Sequence, residues 1–453
     1  MRWMIAIALC LAAFAAPAYA APLPFDPEDA TRAWLATMGP EATERSNAYF
    51  EGGYWIELAG TVLSILVAGL ILLLGWARGV RAWLERTVKF YPLVVFGTAF
   101  FVLLVSNVLT TPFSWYVGFV REHAFGLSTQ TVGEWFGEYL MGAGIGLVLG
   151  SIFLTVLYLI VRAAKKSWWV WGTGVTVVFA AILIMASPVF IAPLFNTYTP
   201  MQEGELKSDI LAIAQANGVP ADNVYVFDVS RQSNRVTANV SGLFGTTRIS
   251  LSDTLLSRTS PEAVRAVMGH EIGHYVLGHV YSLLVMTTLI ILFTFAATHF
   301  SFRALAKNER WGIRDIADPA GLPLIMAIIA ALGLVTAPMQ RNMIYFHEVQ
   351  ADMFGLNAAR GPDGFAEAAV LLSEYRKMEP SPLEEWFFYD HPSGWNRVHN
   401  AMVWKAHEIA AGRLAESPGG PPPGWRPDFV VMSARPENAP RATPAPSPAS
   451  ESN

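Results

Sequence analysis

From Val280 to Thr298 the chain carries no charged residue. A helix over that run is about 28 Å long at 1.5 Å per residue, enough to cross the hydrocarbon core of a bilayer. Further apolar runs lie at about 54–76, 90–111, 139–161, 169–193 and 321–338. Backbone polar groups in hydrocarbon must be paired within the segment or in a closed barrel, and runs of this length suit helices. The sequence therefore predicts a mainly α, polytopic membrane protein in contact with a lipid bilayer. Composition agrees: 53% of the 453 residues are hydrophobic and 15% charged. The net charge of −5 gives no reason to expect a nucleic-acid partner. Cys10 is the sole cysteine, which excludes an intramolecular disulfide and a thiolate metal site. Any bound metal must rest on histidines and carboxylates.

Residues 1–20 read as a secretory signal peptide, with Arg2, an apolar stretch from Trp3 to Ala15, and Ala18-Tyr19-Ala20 before Ala21-Pro22. The alternative is an uncleaved first membrane helix. Residues 21–53 suggest a short helical region outside the bilayer. Residues 197–279 are polar enough to be soluble, with a helix at Leu206–Ala216 and strands at Asn223–Val229 and Arg248–Ser252. A membrane hairpin is expected over 280–339, polar-faced helices over 340–414, and a disordered tail rich in Pro, Ala and Ser over 415–453, beginning in earnest near Ser417. Basic residues alternate between loops. Arg78, Arg81, Arg86 and Lys89 follow the first run, Arg162, Lys165 and Lys166 the third, and Arg303, Lys307, Arg310 and Arg314 the fifth. The positive-inside rule makes these loops cytoplasmic. Residues 197–279 and 340–414 then share the opposite face, the periplasmic side of a bacterial inner membrane.

The chemistry is concentrated in Met268-Gly269-His270-Glu271-Ile272-Gly273-His274. Helical spacing puts His270 and His274 on one face, one turn apart. Two neutral imidazoles so placed can grip one Zn²⁺, and Glu271 beside them can take a proton from a water held by the metal. The three polar residues interrupt Val264–Leu277, an otherwise apolar stretch whose one other charge is Arg265. Ser260, Pro261 and Glu262 form a helix-start signature. His274 precedes Val280 by six residues, about 9 Å along a continuous helix, so the site should lie at a membrane surface.

A catalytic zinc wants three protein ligands and an open fourth position. Tyr345-Phe346-His347-Glu348-Val349-Gln350-Ala351-Asp352 follows the sixth apolar run on the same side of the membrane as the motif. Glu348 and Asp352, four apart, share a helical face. Glu348 can ligate while Asp352 accepts the second ring N–H of a ligand histidine. His347 competes for the ligand role, but it points about 100° away from Glu348 and reads as a boundary or substrate-side residue. His407-Glu408 has no second ligand in spacing.

With these residues in hand, the chain resembles the type I CAAX prenyl endopeptidase family of integral-membrane zinc metalloproteases. His270-Glu271-Ile272-Gly273-His274, followed after a hairpin by Glu348-Val349-Gln350-Ala351-Asp352, carries the likeness. Phe125–Thr131, Pro193–Pro200 and Arg248–Leu255 extend it over most of the chain. The resemblance implies a ring of transmembrane helices enclosing a water-filled chamber, closed at one end by a zincin-like α+β catalytic domain that the membrane hairpin splits. It implies one Zn²⁺ on His270, His274 and Glu348, with Glu271 as general base and Asp352 as supporting acid. The family's later His and Arg match His391 and Arg397, types suited to a transition-state oxyanion and a substrate carboxylate. The family's Asn-Ala-Tyr substrate strand is Thr237-Ala238-Asn239 here, with Gly242 retained; main-chain pairing with a peptide remains open to it. The Ser-Arg often found before the ligand Glu is Ile344-Tyr345.

The expected activity is peptide-bond hydrolysis by a monomeric membrane zinc endopeptidase, similar to CAAX-box protein processing proteases, acting on peptides or membrane proteins. A protease with its zinc in the lipid plane fits less well, because the motif precedes its span. The non-enzymatic alternative, an inactive protease-like scaffold or channel, leaves Glu271 without a purpose.

Overall fold

The computed structural model describes residues 22–241 and 247–429. The 1–20 segment and Gly242 lie outside the described residues. Helix α1, Pro27–Leu35, is capped by the Asp26 side chain, which accepts from the Glu28 N–H. Helix α2 runs from Gly39 to Leu73 and merges the region placed outside the bilayer with the first apolar run. After Pro40 no proline interrupts this stretch, so the helix continues through the change in composition. A short amphipathic α3 (Trp76–Thr87) leads to α4 (Tyr91–Trp115), α5 (Val132–Ala163) and α6 (Trp168–Ala186). Thr131 and Glu134 make a reciprocal capping box at the start of α5.

The catalytic half begins with β1 (Tyr198–Pro200), α7 (Glu205–Ala216), β2 (Val224–Phe227), β3 (Ala238–Ser241) and β4 (Arg248–Ser252). The strands form one sheet in the order β1-β2-β4-β3. The central β2–β4 pair is parallel and both outer pairs are antiparallel, which leaves β3 at an edge. Helix α8, Pro261–Val276, packs on this sheet. Met268 and Ile272 from α8 share a buried core with Ile249 and Leu251 of β4 and Ile210 of α7. The membrane hairpin follows as α9 (His279–Leu305) and α10 (Leu322–Ala359). Helix α10 does not end with its apolar run; it continues through Pro338 as one helix that carries Glu348 and Asp352. Helices α11 (Pro362–Leu372) and α12 (Gly394–Ala410) close the domain over a second core that includes Trp34 of α1.

Six helices among the described residues are long and apolar enough to cross a membrane. They bury little of themselves. In the most apolar window of α6 no residue is buried, and in that of α10, the best covered, 39% are. Each touches its neighbours along a narrow seam, as a ring of helices does when lipid lies on one side and an enclosed chamber on the other.

Two expectations need correction. The zinc-motif helix does not run on into the membrane span: it stops at Val276, and Gly278 takes a left-handed φ of 66° before α9 starts at His279. Only glycine adopts that conformation without steric cost. Residues 417–429, read from composition as the start of a disordered tail, are packed. Trp425 meets Trp34 edge-on at 5.0 Å, the Gly419 carbonyl accepts from Trp34 Nε1 at 3.2 Å, and Phe429 is buried. Aromatic anchors outweigh the Pro-rich background there.

Candidate metalloprotease site

Helix α8 starts where Ser260 accepts from the Ala263 N–H, with Pro261 in the first turn. Helix α10 crosses it closely because glycines face each other. A Cβ on Gly355 would sit 2.8 Å from the His270 nitrogen, and one on Gly269 3.1 Å from the Gly355 carbonyl oxygen. This crossing brings Glu348 and Asp352 against the two motif histidines.

His270 Nε2 and His274 Nε2 lie 3.0 Å apart. Glu348 Oε2 is 3.1 Å from His270 Nε2, and Glu348 Oε1 is 3.3 Å from His274 Nε2. Ligand bonds of about 2.0–2.2 Å at tetrahedral angles place ligand atoms roughly 3.3–3.5 Å from one another, so the triad is the size a single zinc requires. One further observation tests the fit. Glu348 Oε2 is buried without a hydrogen-bond partner although two imidazole nitrogens, of His270 and His391, stand 3.1 and 3.2 Å away. A buried carboxylate oxygen left unpaired is costly; one that converges with imidazole lone pairs on a common point suits a cation. The donor set, two nitrogens and a carboxylate with no thiolate, is that of hydrolytic zinc.

The surroundings orient the triad. Asp352 Oδ1 is 2.8 Å from His270 Nδ1, so the proton sits on Nδ1 and the Nε2 lone pair faces the centre. Arg397 donates to Asp352 twice, from Nε at 3.0 Å and Nη2 at 2.6 Å, and all three residues are buried or nearly so. Burial works against a charge on His270, yet the carboxylates of Asp352 and Glu348 beside it outweigh that and push its pKa up to about 10. Burial raises the Glu271 carboxyl above its usual range, against the pull of His270 and His274. His391 is lowered by burial, opposed by Asp390 at 2.7 Å from its Nδ1.

A cavity of about 170 Å³ opens beside these groups. Glu271, His391 and Arg397 line one side, and Thr237 and Ala238 the other. Ala238 and Asn239 belong to β3, whose outer edge pairs with no strand among the described residues. Arg397 thus lines the cavity while directing two donors to Asp352, a placement the sequence could not reveal across 45 residues. His347 is not on the substrate side. It is buried, with Nδ1 on the Met343 carbonyl and Nε2 on Ser282. His279, whose ring reaches His274 at 2.8 Å, carries no signal in the sequence. Its spacing of five residues from His274 does not mark a helical face, and the bend at Gly278 that brings it back has no signal beyond the glycine itself.

Comparison with known proteins gives the family. Residues 200–405 match peptidase family M48, and residues 30–197 match the CAAX prenyl protease N-terminal region, described as five membrane helices; four candidate spans begin before residue 197 here among the described residues. Fold and site define an integral-membrane metalloendopeptidase. With the two matches side by side over most of its length, the chain belongs to the M48 family, in the group that carries CAAX prenyl protease-type membrane helices. The metalloprotease YhfN of Bacillus subtilis, itself uncharacterized, is 27% identical over 370 residues, covering 80% of this chain and 86% of its own length. CAAX prenyl protease 1 of Saccharomyces cerevisiae is 28% identical over 311 residues, 64% of this chain and 68% of that protein. The crystal structure of S. mikatae Ste24p aligns with a TM-score of 0.68 over 83% of this chain and 94% of the other, at 22% identity. At that identity the likeness is one of fold.

Proposed function

We propose that this membrane metalloprotease hydrolyses peptide bonds with one zinc ion held by His270, His274 and Glu348. The observation that carries the reading is the convergence of those three side chains at 3.0–3.3 Å, with Glu271 lining the same cavity. Zinc, when bound, supplies Lewis acidity that polarises the scissile carbonyl and acidifies the attacking water. Glu271 takes the proton of that water and passes it to the leaving amide nitrogen, a task helped by a carboxyl affinity raised through burial. His391 faces the centre with its Nδ1 held by Asp390, which sets its Nε2 beside the position of the developing oxyanion. Arg397 acts through Asp352 as a positioning residue. The substrate lies as an added strand along β3, beginning at Thr237, Ala238 and Asn239.

The catalytic half is placed on the periplasmic side of a bacterial inner membrane. Supporting this, the three basic loops meet on one face: Arg81 reaches Asp318 at 2.7 Å, Arg314 reaches Asp318 at 3.1 Å, and Lys165 reaches Asp315 at 2.5 Å. That face is cytoplasmic by the positive-inside rule. Peptides and segments of membrane proteins are then the substrates, since prenylated tails reside in the cytoplasm.

Glu271→Gln keeps the shape and removes the base. Peptide hydrolysis by the purified variant should fall by about two to four orders of magnitude, while zinc content, read by elemental analysis, stays near wild type. Substantial residual turnover would overturn the role of Glu271.

A further inference from the structure

The two motif histidines are supported in different ways. His270 has an ionised partner, the Asp352 carboxylate anchored by Arg397. His274 has no carboxylate on its second nitrogen. Its Nδ1 lies 2.8 Å from Nδ1 of His279, and His279 Nε2 lies 3.1 Å from Gln350 Oε1. His279 itself is 3% exposed. It is held edge-on against His347 with ring centroids 4.5 Å apart, and the Ser282 hydroxyl lies between the two, 3.1 Å from the His279 carbonyl and 2.6 Å from His347 Nε2.

Between two imidazole nitrogens one must donate and the other accept, so this chain has a direction. If His274 Nδ1–H donates to His279, then His279 carries its proton on Nε2 and donates it to the Gln350 carbonyl oxygen. That leaves the His274 Nε2 lone pair free to face Glu348 and His270. In the reverse direction His274 would hold its proton on Nε2 and have no lone pair for a metal. Gln350 Oε1, an acceptor, selects the first direction. We propose that His279 is the positioning residue of the second zinc-binding histidine, fixing its tautomer and ring orientation through a neutral His–His–Gln chain. The inference rests on His274 being a ligand, as proposed above. Because His279 is the first residue of α9 and Gln350 lies on α10, the chain also ties the ligand on α8 to both arms of the membrane hairpin.

The test is zinc affinity of the full-length protein in detergent, measured by competition with a chromogenic chelator. Removing such a partner costs about 10- to 100-fold in metal affinity, and that loss is expected for His279→Leu. His279→Asn puts an amide oxygen where Nδ1 lies and should bind zinc close to wild type. His279→Gln, whose amide falls where Nε2 lies, should behave like the Leu variant. Equal affinities of the Asn and Gln variants would overturn the proposal even if the Leu variant fails to fold. So would a folded His279→Leu that binds zinc as tightly as wild type. His274→Ala serves as the control for the underlying reading: no loss there removes the ligand assignment itself, whereas loss there with none in His279→Leu removes the positioning role alone.

Discussion

At the scale of single residues, the buried pair of Arg397 and Asp352 connects stability with chemistry. Asp352 is 3% and Arg397 9% exposed, and two charge-assisted bonds join them. Removing Arg397 leaves Asp352 charged and buried with only the His270 ring as partner, a loss bounded by the roughly 3–5 kcal/mol of a broken buried ion pair. Arg397→Ala should therefore lower the thermal unfolding midpoint in detergent sharply, and Arg397→Ala with Asp352→Asn should recover part of the loss. Glu348→Ala should strip most of the metal from the purified protein; near-stoichiometric zinc in that variant would reject it as third ligand. What the sequence disclosed at this scale was whatever one helix encodes. His270, Glu271 and His274 announce themselves by their spacing, and Glu348 with Asp352 by theirs. The bond from Arg397 to Asp352, and that from His279 to His274 around a left-handed glycine, depend on how separate pieces of chain meet.

At the scale of elements, the site is the crossing of α8 and α10. Gly355 lies seven residues beyond Glu348, two turns along the same face of α10. A methyl group at Gly355 would stand 2.8 Å from the His270 nitrogen and 3.1 Å from its Cα, both backbone atoms that cannot rotate away. Gly355→Ala should push the helices apart, cost about 1–3 kcal/mol, and weaken zinc binding by drawing Glu348 away from His270. Gly333→Ala, in the same helix with nothing within 4 Å of the added methyl, is the matched control and should leave both stability and metal affinity intact. Apolar runs disclosed the presence of the helices but not their ends. Helix α2 begins well before its apolar stretch and α10 continues beyond its own through Pro338, whereas α8 stops at Val276 because Gly278 intervenes.

At the scale of the molecule, the arrangement of basic loops predicts an outward-facing protease. With Cys10 replaced, a cysteine introduced at the exposed Glu416 should react with an impermeant thiol reagent in intact spheroplasts. Labelling only after lysis would reverse the orientation and restore cytoplasmic tails as candidate substrates. The contact between Trp34 and Trp425 adds a constraint of another kind. Two segments that touch outside the bilayer occupy the same compartment, so the chain must cross an even number of times between them. Six crossings meet that condition; five or seven do not. Sidedness is then a single binary variable for the described chain: a label at residue 416 also reports the compartment of α1. A sequence change that created or abolished one crossing could not be absorbed locally, because it would carry Trp34 and Trp425 to opposite sides of the membrane.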